Sequence, residues 1–209
     1  MAVISKYTEN RQRRIRAVSE ASAGLMPMVM MIVVFMSTFI VYTYKRDMLE
    51  YECQQLDGNL TYSLLASAVV NTEVYAESGN PVIADSIEPD SGDSAFFRAY
   101  MRFIDCFRCN MSSGGDMSSE SASGMCRDIK IVYYKIYNYI VDEEGFRIVE
   151  CGISDGQAYT LRHAQNKHVK VQANGGIVDI EETSVCAEIT FNIEGIGEYS
   201  FTRLIAVTG

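Results

Sequence analysis

Hydrophobic and polar positions follow three rhythms along this chain, and each predicts a different element. Over residues 24–44 the apolar run is nearly unbroken: sixteen of twenty-one residues are apolar and none is charged. Twenty-one helical residues rise about 31 Å, close to the roughly 30 Å of a bilayer hydrocarbon core. A cleavable secretory segment is shorter and ends at small residues, whereas this one ends at Tyr42-Thr43-Tyr44-Lys45-Arg46. The pattern predicts a retained transmembrane helix over 24–44. From Asp47 a helical period takes over. Leu49, Cys53, Leu56, Leu60 and Leu64 recur three or four apart, with Asp47, Glu50, Gln54, Asp57 and Thr61 opposite them. This predicts an amphipathic continuation over 45–76, in phase with the span and forming one helix with it from about Gly24. Pro27 then falls in the first turn, where its missing N–H leaves no bond unmade.

The segment 77–127 breaks that pattern with Gly79, Pro81, Pro89 and Gly92. Within it, Phe96, Tyr100, Phe103 and Phe107 predict a short helix over 95–109, and the Ser-, Gly- and Met-rich residues 110–124 read as a loop. From Asp128 the period becomes two. Residues 129–141 are rich in β-branched and aromatic side chains, Asp142-Glu143-Glu144-Gly145 is a turn signal, and 146–151 would return as the second strand of a hairpin. Residues 158–171 fit a strand, a short helix or a mixture. Val185, Ala187, Ile189, Phe191 and Ile193 then alternate with Cys186, Glu188, Thr190, Asn192 and Glu194, which predicts one face to a core and one to water. A turn at 195–197 and a last strand over 198–207 complete an antiparallel β-sheet domain over 128–209. The expected fold class is α+β: a long N-terminal helix, transmembrane then amphipathic, packed on a C-terminal antiparallel sheet, with the leucine stripe covering the sheet.

Charge sets an orientation. The leader over 1–23 carries net +3, the span nothing, and the 165 residues beyond Tyr44 net −12, within a total of −9. Positive flanks stay cytoplasmic, so the expected placement is the cytoplasmic membrane, with the N-terminus inside and the C-terminal domain extracytoplasmic. An acidic exported part argues against nucleic acid as a partner. The bilayer is the partner this layout requires.

Little in the sequence reads as reaction chemistry. Cys106-Phe-Arg-Cys109 has a redox or zinc spacing, but a zinc ribbon needs a second such pair, and a thioredoxin-type pair follows a strand and opens a helix. Disulfides among Cys106, Cys109 and Cys126, across the 110–125 loop, are the plainer expectation, with Cys186 on the water-facing register of its strand. His163 and His168 are five apart, a spacing that does not stack two imidazoles on a helix, and read as surface residues. No phosphate loop, dinucleotide fingerprint or nucleophile elbow is present. The expectation is no catalytic residue, no cofactor, no metal and no small-molecule substrate. Tyr133, Tyr134, Tyr137 and Tyr139 fit either a binding surface or ordinary strand packing, the latter favoured.

A basic leader, an apolar span continuing as an amphipathic helix, and a C-terminal sheet together resemble type IV pilins and pseudopilins. The leader is similar to the TadE/TadG group of minor pilin-like proteins of tight-adherence systems. Arg11, Arg13, Arg14 and Arg16 match the basic segment, Glu20 the acidic residue, residues 21–24 the small patch and Pro27 the early proline. The resemblance is one of layout and covers about residues 10–75. It implies a structural, non-catalytic subunit of a pilus or secretion and adhesion apparatus, with Glu20, Pro27, Leu49, Leu56, Leu60 and Leu64 in assembly. Its implied partners are other pilin-like subunits or membrane platform proteins. Gly24, the first glycine, lies after Glu20, so the sequence names no prepilin cleavage site. A signal-anchored extracytoplasmic binding or sensory domain is the alternative.

Overall fold

The computed structural model describes residues 2–84, 94–111, 126–154 and 156–207; of residues 2–24 it gives the backbone, with the Arg13 side chain. The expected 110–124 loop therefore falls almost wholly outside the described residues. The chain divides into two units, Met1–Glu50 and Tyr51–Gly209.

Helix α1 runs Ala2–Ser67 and supplies all the described secondary structure of the first unit. It begins earlier than the hydrophobic pattern suggests. Residues 2–23 hold neither glycine nor proline and are rich in Arg, Glu and Ala, so nothing in them stops a helix. Pro27 is accordingly interior to α1 rather than in its first turn. Its ring removes one backbone donor from the ladder, a loss that membrane helices commonly accommodate.

Residues 51–67 of α1 belong to the second unit. The helix ends at Ser67, short of the expected 76, because the backbone tightens and is then captured elsewhere. Ala68 donates to the Leu65 carbonyl at 3.2 Å, Val69 to Ser67 at 2.9 Å, and Asn71 to Val82 at 2.7 Å. The Asn71 side chain then caps a separate helix, α2 (Thr72–Ser78), by accepting from the backbone of Glu73 and Val74. Helix α3 (Ala95–Met111) buries Phe96, Ala99, Phe103 and Phe107 on one face.

Seven strands follow: β1 Cys126–Asp142, β2 Gly145–Ser154, β3 Gln157–Arg162, β4 Lys170–Ala173, β5 Gly176–Asp179, β6 Ser184–Ile193 and β7 Gly197–Ala206. Five form an antiparallel sheet in the order β3-β2-β1-β6-β7, and β4 pairs with β5 as a separate hairpin. The class is α+β, with the helix packed on the sheet. The ambiguous stretch 158–171 resolves as strand β3, a loop and the start of β4.

The two faces of the sheet are covered differently. One face meets the helices through Tyr134, which is fully buried. Its ring lies 5.1 Å from Phe103 and 5.9 Å from Phe96, and its hydroxyl donates to Ser67 Oγ at 2.9 Å. Ile136, Val185, Ala187, Ile189 and Phe191 are buried as well, together with Leu56, Leu60 and Leu64 of α1. A register shift in β1 between Ile131 and Tyr133 explains how an odd and an even residue share this face: Ile131 opposes Ile189, and Tyr134 opposes Ala187.

The other face is the one the alternation assigns to water, and here the structure corrects the expectation. Cys186 is fully buried, in a second core with Tyr137, Ile148, Leu204 and three residues from the β4–β5 region, Val171, Ala173 and Ile180. Residues 170–180 are too short and too polar to announce a covering layer, yet they supply one. The four tyrosines of β1 are core or half-buried: Tyr134 and Tyr137 buried, Tyr133 and Tyr139 partly exposed.

Candidate functional site

Three features carry the functional argument: the apolar part of α1, a charged cluster on the sheet, and a groove beside the β4–β5 hairpin. The first is an exposed helix. Every side chain over 25–44 is exposed except Thr43, which is half-buried, and Phe35 is 70% and Met26 71% exposed. This helix is long and apolar enough to cross a membrane. Its hydroxyls are turned onto its own backbone. Ser37 and Thr38 donate to the Val34 carbonyl at 2.9 and 2.8 Å, and Thr43 to Ile40 at 2.9 Å. Polar groups satisfied in this way add little cost in lipid.

The residues expected to mediate assembly separate into groups. Glu20 is helical in backbone, but its side chain lies outside the described residues. Pro27 is exposed and Leu49 half-buried. Leu56, Leu60 and Leu64 are buried within the second unit, so their apolar surface is consumed inside the chain and is not available to a neighbour. The ion pair of Asp57 with Arg203 on β7 lies beside them.

The expected disulfides are not formed: all six cysteines are thiols. Cys106 is half-buried, with Asn110 Nδ2 donating to its sulfur at 3.4 Å, and Cys109 is exposed. Cys126 opens β1 and is buried. Its backbone N–H donates to Glu52 Oε2 at 3.0 Å, and Cys53 is among the neighbours that raise its thiol after burial.

The charged cluster centres on Glu150, which is only 7% exposed. Tyr159 of β3 donates its hydroxyl to Oε1 at 2.7 Å, Lys135 Nζ of β1 lies 3.1 Å from the same oxygen, and His163 Nε2 is 3.2 Å from Oε2. Burial alone would raise the Glu150 carboxyl, but the Tyr159 hydrogen bond and the Lys135 charge overcome it and hold the group below its usual value. Lys135 is likewise pushed down by burial and carried above its usual value by Glu150. Its ammonium also sits 4.9 Å from the centre of the Tyr133 ring. Gly152 makes the arrangement possible, since a Cβ there would meet the Tyr159 ring and hydroxyl at 2.7 Å. Sequence reasoning missed the cluster and read His163 as a surface residue. The available signal was a glutamate between Val149 and Cys151 in the middle of an apolar strand. Both carboxylate oxygens are engaged, so the cluster ties the edge strand and the residue after it to the sheet.

The groove has a volume of about 660 Å³ and is lined by Tyr133, Gln172, Asn174, Glu188, Thr202 and Arg203 among others. It is open and mostly polar. Arg203 faces Asp57 on one side and Asn174 Oδ1, at 3.4 Å, on the other. Among the described residues no cluster of three or more His, Cys, Asp or Glu side chains is placed to hold a metal ion.

No relative is found. Neither a family model, nor a curated protein, nor a solved structure matches this chain.

Proposed function

We propose that this chain is a structural, non-catalytic, single-pass membrane component of a pilus or of a type II/IV-like secretion and adhesion apparatus. It assembles through its N-terminal helix and displays the sheet domain outside the cytoplasm. The observation that carries the reading is the apolar helix over 25–44, exposed at every position but Thr43. Apolar surface on that scale is not left in water; lipid or other apolar helices cover it. The +3 leader before it and the −12 domain after it support an orientation with the N-terminus inside. The layout resemblance to TadE/TadG-like pilin subunits supports a helix that works by bundling with its own kind. The burial of Leu56, Leu60 and Leu64 narrows this further: bundling contacts belong to the segment before Tyr51, with Pro27, Met-rich 26–36 and Glu20 as its candidates.

Cross-linking tests this. Native cysteines are replaced by serine, and one cysteine is placed on each of two opposite faces of the helix, as in Val29→Cys with Met31→Cys. In native membranes an assembling subunit gives a ladder of species beyond the dimer. Monomer or dimer alone removes the assembly reading and leaves the second one, a signal-anchored extracytoplasmic binding or sensory domain. The open polar groove beside Arg203 favours that second reading.

A further inference from the structure

We propose that Cys53 of α1 and Cys126 of β1 are a disulfide-forming pair that staples the helix to the start of the sheet once the domain is in an oxidising compartment. The inference rests on the proposed extracytoplasmic placement for its occurrence in the cell, though not for its chemistry.

Two contacts bring the residues together. The Cys126 backbone N–H is held by the carboxylate of Glu52, the immediate neighbour of Cys53, at 3.0 Å. The Cys53 side chain is also near enough to Cys126 to act on its thiol. A disulfide requires the Cβ atoms to approach to about 3.8 Å, and the Glu52 contact holds the start of β1 against the turn of α1 that carries Cys53. Of the six cysteines, Cys106 and Cys109 have the sequence spacing that attracts attention. Neither is described in contact with another cysteine, however, and Cys151 and Cys186 lie on strands at opposite faces of the sheet. The pair that topology assembles is separated by seventy-two intervening residues, which is why spacing does not reveal it.

The two thiols are not equivalent. Burial raises both thiols, and the neighbouring Cys53 and Glu52 help carry Cys126 to about 12; Cys53 is half-buried and Cys126 buried, so Cys53 is the one a donor can reach. The exchange therefore begins at Cys53. Its thiolate attacks one sulfur of a disulfide donor, such as oxidised glutathione or the oxidised dithiol of an exported oxidoreductase, and expels one donor thiolate. Cys126 then loses its proton to that thiolate or to solvent and attacks the Cys53 sulfur. The Cys53–Cys126 bond forms, the mixed disulfide breaks, and the second donor thiolate leaves. The pair loses two protons and two electrons, and the donor is reduced to two thiols.

The test uses the full chain purified in detergent, equilibrated with a glutathione redox buffer, alkylated and digested without reduction. The expected result is a linked peptide joining Cys53 to Cys126, lost in Cys53→Ser and in Cys126→Ser, together with a Tm about 5–15 °C higher than that of the reduced chain. Alkylation of both residues under strongly oxidising buffer, or a link from either one to Cys106 or Cys109, overturns the inference. If the bond forms in the purified chain but both thiols are free in protein trapped directly from cells, the pair stands as oxidisable and the extracytoplasmic placement fails instead.

Discussion

Glu150 gathers three polar partners on the sheet: Lys135, Tyr159 and His163. Its partners hold the carboxyl below its usual value, so the unfolded chain binds that proton more readily than the folded one. The stabilisation is therefore complete well above about pH 4.3, the ordinary glutamate value, and is lost as the pH falls through the lower folded value. Glu150→Gln is expected to cost about 1–3 kcal/mol at neutral pH and to flatten the acid limb, as read from denaturant midpoints over pH 3–7. Gly152 acts one step away. Gly152→Ala displaces the Tyr159 ring and its bond to Glu150, at a cost of about 1–3 kcal/mol. Combined with Tyr159→Ala, its effect should be less than additive; full additivity would mean that the close approach of ring and glycine carries no energy. Neither residue is conspicuous in the sequence. Lys135, Glu150, Tyr159 and His163 are spread over twenty-nine positions and meet only because β1, β2 and β3 pair in one register.

Elements were legible where a single period ran long enough. The β1–β2 hairpin followed from its turn and β-branched run, β6 from strict alternation, and α3 from its phenylalanines. Two outcomes escaped that reasoning for physical reasons. The end of α1 at Ser67 is decided by a distant acceptor, the Val82 carbonyl, rather than by any local breaker. The β4–β5 hairpin has four residues per strand, too few for a period, yet it decides that Cys186 is buried. The leucine stripe of α1 was legible as the cover of the sheet and is buried there, while the pilin-like resemblance also cast the same leucines in assembly. Leu60, fully buried, separates these roles. Leu60→Ala is expected to lower stability by about 2–5 kcal/mol while leaving membrane fractionation and the cross-linking ladder unchanged at temperatures where the domain stays folded. Loss of the ladder from a folded variant would return this stripe to assembly.

At the scale of the molecule, the chain separates its tasks along its length. The apolar helix of the first unit carries the membrane argument, and the second unit contains its own two cores. Val33 lies near the middle of the span. Val33→Arg adds about 3–4 kcal/mol to the cost of insertion, and the variant is expected to become extractable from membranes by alkaline carbonate. Its sheet domain should keep the near-ultraviolet signature of its buried tyrosines. Full retention in the pellet would argue against this helix as the anchor.

The strand order has a consequence for how the domain is made. β1 lies between β2, which follows it directly, and β6, which begins only at Ser184. As the chain emerges from its N-terminus, the leucines of α1 appear first, and β6, on the sheet face they cover, appears more than one hundred residues later. A hairpin of β1 and β2 can form early, but the sheet cannot close and the stripe cannot be covered until the last quarter of the chain is available. Contacts between positions so far apart make folding slow and leave an apolar helix and an open strand edge exposed in the interval. Newly made protein thus passes through a stage in which it is vulnerable to aggregation and proteolysis, and the time needed to complete β6 and β7 sets how long that stage lasts.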